Sequence, residues 1–120
     1  MSQHLEWSAP AIDAVAPIRQ RILVALADHP ARDDPAFTTA LTELLANAAE
    51  SHTGLHDPVV IAVHHTHLTV TNRSDGPVPA ASIPPSDSNC GRGLAFVAAL
   101  WPQTDWTTLN GLVTARMELT

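Results

Sequence analysis

The chain is poor in the residues that mark several common protein classes. Cys90 is its single cysteine in 120 residues, which excludes an internal disulfide framework and suits the reducing cytoplasm. Basic residues are also scarce: 6 arginines and lysines stand against 12 aspartates and glutamates, a formal net charge of −6. A broad basic surface for nucleic acid is therefore excluded, and no direct nucleic-acid partner is expected. The longest apolar run, residues 94–101, falls far short of the roughly 20 residues that span a bilayer. The first residues lack the basic-then-apolar pattern of a secretory signal, so no membrane partner is expected either. No internal repeat is visible. The 10 prolines fall at junctions rather than in one low-complexity block.

What the chain does have is an apolar fraction of 45%, spread regularly through its length. This describes one globular domain over residues 1–120 with a single core. His4 to Trp7 reads as a short strand with Leu5 and Trp7 on one face. Asp13 reads as a cap for a helix whose apolar stripe is Val15, Ile18, Ile22, Ala25 and Leu26, with Arg19, Gln20 and Arg21 facing water. Pro17 falls in its first turn, where it is tolerated. A polar connection over residues 28–34 leads to a second helix, with Asp34 as cap and Pro35 at the first position. Phe37, Leu41, Leu44, Leu45 and Ala48 recur at three- and four-residue steps and form its core stripe. Gly54 is a suitable left-handed stop.

Val59 to Val63 is a β-branched run expected to form a strand buried on both faces. His64 to Thr66 reads as a hairpin turn, and His67 to Asn72 as the partner strand with Leu68 and Val70 inward. Residues 73–89 show no periodicity and read as a long loop. A short helix after Gly93 stops at Pro102. Asn110-Gly111 between strand-like runs at 104–109 and 112–119 is a strong hairpin signal. The order β-α-α-β-β-loop-α-β-β describes an α+β two-layer sandwich, with a mixed sheet covered on one face by helices.

Three segments carry chemistry. Glu43 and Asn47 lie one above the other on the second helix, at the margin of its apolar stripe. Asn72, Ser74 and Gly76 follow a strand. Gly91, Arg92, Gly93 and Leu94 lead into a helix N-terminus, whose amides suit phosphate. Taken singly, each also fits an ordinary helix edge, a capped turn and a helix start.

Together, in this order, they resemble the ATP-binding domain of the GHKL superfamily, which includes gyrase, heat-shock chaperones and sensor histidine kinases. Within it the likeness is to the stand-alone anti-sigma-factor serine kinases. The resemblance covers nearly the whole chain and implies ATP or ADP with Mg2+ as cofactors. Glu43 would be the general base and Asn47 the magnesium ligand, chemistry suited to a carboxylate and an amide oxygen. Asn72 stands where the family has the aspartate that accepts from the adenine amino group, and Ser74 replaces its first glycine. An amide oxygen still accepts such a bond, without the charge. Gly91, Gly93 and Leu94 match the phosphate motif, and Arg92 adds positive charge. Residues 77–90 would form a shortened lid. The implied function is a regulatory protein-serine kinase whose partners are a sigma factor and its antagonist; a homodimer stays open. The alternative is a degenerate domain that binds proteins without catalysis. A two-component histidine kinase does not fit, because residues before 36 hold one candidate helix and its stripe carries no histidine.

Other candidates are weaker. His64, His65 and His67, with His52 and His56 nearby in sequence, resemble metal ligands, but His64 and His65 point to opposite faces of a strand and read as a solvated turn. Cys90 near a helix start has no identifiable base and reads as a small filler. Trp7, Trp101 and Trp106 read as core or sheet-face residues.

Overall fold

The computed structural model describes residues 3–8, 11–53, 57–74 and 97–119. Five strands build one sheet: β1 (Gln3–Trp7), β2 (Val59–Val63), β3 (His67–Arg73), β4 (Thr104–Leu109) and β5 (Leu112–Glu118). Their order across the sheet is β1-β2-β3-β5-β4. Two helices, α1 (Val15–Ala25) and α2 (Pro35–Ser51), fall between β1 and β2. The expected α+β sandwich is present, but among the described residues every strand pairing is antiparallel rather than mixed. The reason lies in the crossover. One helix between two strands returns the chain to run parallel; two helices in succession reverse it once more.

The start of α2 follows its sequence signals. The Asp34 carboxylate accepts from the Ala36 amide at 2.9 Å, with Pro35 in the first turn. Its expected stripe is buried from Phe37 through Leu41, Leu44 and Leu45 to Ala48. Phe37 meets Trp101 edge-on, with ring centroids 5.4 Å apart. Full burial of each such side chain stabilises by about 1.5–3 kcal/mol. The core closes on the inner sheet face through Leu5, Trp7, Val59, Ile61, Leu68, Val70 and Met117.

Several local expectations are corrected. Asp13 does not cap α1: it lies in a 3-10 turn, Ile12–Ala14, and the capping position is Ala14, with no side-chain cap. The backbone turn from the Ala14 amide to Ala11 occupies that start instead. Arg19 is half-buried and donates to the Thr42 hydroxyl at 2.9 Å, tying α1 to α2 rather than facing water. The connection to α2 contains a 3-10 turn, Pro30–Asp33, that buries Ala31. The strand β2 is buried on one face only; Val60 and Ala62 are half-buried on the other. Its cross-strand neighbours on that face include the polar residues Glu6 and Thr71. The helix α2 leaves at His52 in extended geometry (φ −69°, ψ 124°) rather than in a left-handed stop, and Gly54 lies outside the described residues. The last two strands turn as expected, with Asn110 at φ 53° and Gly111 at φ 80°. These are the two left-handed positions that a tight primed turn requires.

Candidate functional site

The residues of the site come from the margin of α2 and the far end of β3. Leucine and alanine at three- and four-residue steps turn the face bearing Leu44 and Ala48 toward the sheet, so Asn47 arrives at the edge of the core. On β3, alternation carries Leu68 and Val70 inward, and the same period carries Asn72 inward. Asn72 is buried, 5% exposed. Asn47 and Asn72 both line one small cavity, together with Leu44, Val70 and Trp106. About 10 Å³ of free space remains in it, roughly one water molecule's worth.

The Asn72 amide nitrogen donates to the Ser51 hydroxyl and to the Arg73 carbonyl, both at 3.4 Å. These are long bonds for a buried group. Ser51 in turn donates to the Asn47 carbonyl at 2.7 Å. Beside them the end of α2 is sewn to β3. The Arg73 amide donates to His52 Nδ1 at 3.2 Å, and the Thr53 amide donates to the Arg73 carbonyl at 2.8 Å. Because His52 Nδ1 accepts, its ring proton sits on Nε2 and reaches the Asp57 carbonyl at 2.7 Å. The Arg73 guanidinium pairs with Asp57 at 3.0 Å in an exposed position, where such a pair adds less than about 1 kcal/mol. Ser74 is placed by its amide, which donates to the Gly111 carbonyl at 2.8 Å.

Glu43 is half-exposed one turn before Asn47, in a shallow recess with Arg19, Thr38, Thr39 and Thr42. The structure thus brings Asn47 and Asn72 together and sets Glu43 in a neighbouring depression on the same helix. Gly76, Gly91, Arg92, Gly93 and Leu94 lie outside the described residues, as do Cys90, His56 and the expected lid at 77–90. Two contributors were not assigned to the site from the sequence: Ser51, and Trp106, which reads there as a core or sheet-face residue. Ser51 stands four residues past Asn47, the same spacing that links Glu43 to Asn47, and that spacing was signal enough. Trp106 pairs with Ala115 in the last hairpin, so the strand alternation already turns it toward the cavity.

His64 and His65 lie between β2 and β3, and His67 opens β3. His64 and His67 stack with ring centroids 4.3 Å apart, and among the described residues no three metal-ligating side chains converge. Burial first, then the charges of Arg116 and His64, hold the His67 pKa below its ordinary 6.5, against a smaller upward pull from Glu118. A larger cleft, about 420 Å³, opens at this opposite end of the sheet between Val24, Leu26, His29, Val63 and His65. It contains none of the motif residues, so room alone does not locate the site.

Comparison with solved structures finds chains of similar fold. The chain is similar to the crystal structure of the RsbU and RsbW domains of Rv1364c from Mycobacterium tuberculosis. The TM-score is 0.68 at 21% identity, over 98% of this chain and 32% of that one. The likeness is one of fold. The small α+β architecture with its five-stranded antiparallel sheet matches the fold found there, and the chain spans about a third (32%) of that structure's length. No protein-family model matches the chain. No curated protein matches it either. Among the described residues, no helix is long and apolar enough to cross a membrane.

Proposed function

We propose that the chain binds ATP or ADP with Mg2+ between α2 and the end of β3, as a regulator of the anti-sigma-factor serine-kinase type. The observation that carries this reading is the meeting of Asn47 and Asn72 at one cavity between helix and sheet. They come from the two motif segments that the resemblance assigns to nucleotide, on a fold shared with an RsbW-containing structure. The chemistry of the residues fits the group. Asn72 is buried with only long bonds to its nitrogen, which leaves a carboxamide able to take a stronger partner. Asn47 offers a hard amide oxygen for magnesium, and Gly91, Arg92, Gly93 and Leu94 would hold the phosphates.

Bound nucleotide would supply a transferable phosphoryl group. Glu43 would accept the proton of an attacking serine hydroxyl, and its half-exposed recess leaves it open to a protein substrate. The partners would be a sigma factor and its antagonist, in the cytoplasm. One observation favours the alternative of a protein-binding module without catalysis: Glu43 faces Arg19 and three threonines rather than the Asn47–Asn72 cavity.

Calorimetry and thermal shift with Mg-ATP and Mg-ADP test the first reading, because a ligand of the native state must stabilise it. Binding is expected, and Glu43→Ala should retain it while abolishing phosphotransfer to a serine of the partner. Binding with a phosphotransfer rate untouched by Glu43→Ala removes Glu43 from the base role. No heat and no thermal shift at millimolar nucleotide leaves the protein-binding module.

A further inference from the structure

We infer that Ser51 is a positioning residue: it fixes which end of the Asn72 carboxamide meets a bound base, and so makes the site prefer adenine over guanine. The inference rests on the nucleotide-binding reading above and adds a device that a carboxylate at this position would not need. The two oxygens of a carboxylate are equivalent, so its orientation carries no information. A carboxamide has a donor end and an acceptor end. Turned one way it accepts from the exocyclic amino group of adenine; turned the other way it donates to the exocyclic oxygen of guanine. An asparagine free to rotate would serve both bases.

Asn72 is not free to choose. Its nitrogen faces two oxygens, the Ser51 hydroxyl and the Arg73 carbonyl, each at 3.4 Å. The carbonyl is an acceptor by nature. The hydroxyl is made an acceptor by its own short bond, since its proton is committed to the Asn47 carbonyl at 2.7 Å. Turning the amide over would set its oxygen against both acceptors inside a site 5% exposed, where a mismatched polar group is costly. The nitrogen is therefore held toward Ser51 and the acceptor oxygen is held away from it. The Arg73 carbonyl is already engaged by the Thr53 amide at 2.8 Å, which makes the Ser51 hydroxyl the adjustable half of the lock. Ser51 belongs to the last turn of α2, four residues after Asn47. The same helix therefore places the magnesium ligand and orients the base-reading group.

The test is a ratio of affinities, which a general loss of packing would not move. Affinities for Mg-ATP and Mg-GTP are measured by calorimetry for the parent, Ser51→Thr and Ser51→Val. The last two side chains have nearly the same shape and differ in the hydroxyl. The parent and Ser51→Thr should favour ATP, and Ser51→Val should lose about fivefold of that preference, the factor carried by one neutral hydrogen bond. In an Asn72→Asp background the Thr and Val variants should show the same ratio as each other. An ATP preference unchanged in Ser51→Val overturns the role of Ser51 and leaves nucleotide binding intact. Parent protein that binds neither nucleotide overturns both readings. If Ser51→Val fails to fold, Ser51→Ala supplies the same comparison, with equal expected loss and the same refuting result.

Discussion

Replacing Asn72 by aspartate restores the resembled family's residue, and the surroundings of this side chain decide what that costs. The carboxamide is 5% exposed, with its nitrogen 3.4 Å from the Ser51 hydroxyl and 3.4 Å from the Arg73 carbonyl. In Asn72→Asp an anionic oxygen takes the place of that nitrogen and confronts a carbonyl oxygen. Ser51 can turn its proton toward the new carboxylate only by releasing the Asn47 carbonyl. Without nucleotide the variant should lose about 2 kcal/mol, or roughly 6–12 °C in Tm for a domain of this size. Desolvation raises the new carboxyl's pKa above its unfolded value of about 3.9, so the folded state binds more protons than the unfolded one. The loss relative to the parent is therefore full at neutral pH, shrinks as pH falls through the folded pKa, and is absent below the unfolded pKa. With Mg-ATP the charge-assisted bond to the adenine amino group should raise affinity about tenfold, while GTP should gain nothing. Thermal melts at several pH values and paired calorimetry provide the readouts. Equal gains for ATP and GTP would show that Asn72 does not face the adenine amino group, and undiminished stability would show that it is not held as described.

The remaining predictions concern the frame around the site. Asp34→Ala removes the cap that holds the Ala36 amide and should cost about 1 kcal/mol in denaturant unfolding, with Asp34→Asn restoring most of it. Phe37→Ala empties a fully buried position and breaks the edge contact with Trp101; a loss of about 3–5 kcal/mol is expected, and less than 1 kcal/mol would contradict the packing. His67 has a folded pKa lowered from 6.5, so the unfolded state takes up protons first and stability should fall as pH drops from 6.5 toward the lower folded value. His67→Gln should flatten that slope, and a slope that persists unchanged would assign it to other groups.

How much of this was legible in the sequence depended on the range of the forces involved. The start of α2 was readable because Asp34, Pro35 and the stripe from Phe37 to Ala48 act within a few residues of each other. The Asn110-Gly111 turn was readable for the same reason. The two hairpins were readable, but how they lie beside each other was not, because β3 lies beside β5 through contacts between residues as distant as Asn72 and Val113, and no local pattern encodes that. The Asp13 cap failed because a 3-10 turn, itself a local alternative, satisfied the amides first. At the candidate site, residue types pointed to Glu43, Asn47 and Asn72 singly, while the bond from Asn72 to Ser51 emerged only when α2 met β3.

That meeting explains how a helix and a strand distant in the chain come together at the candidate site. The last turn of α2 ends against β3 through successive residues: Ser51 receives the Asn72 amide nitrogen, His52 Nδ1 receives the Arg73 amide, and Thr53 donates to the Arg73 carbonyl. His52 and Arg73 then both reach Asp57, on the way into β2. A helix that leaves in extended geometry at His52 must settle its last carbonyls elsewhere; the Ser51 hydroxyl donates to one of them, at Asn47, and residues 51–53 exchange further hydrogen bonds with the strand end that carries Asn72. Any shift of α2 along its axis therefore moves Asn47 and Ser51 together and strains the bonds to residues 72 and 73. The two halves of the candidate site keep their register because the same short stretch, residues 51–53, both closes the helix and grips the strand.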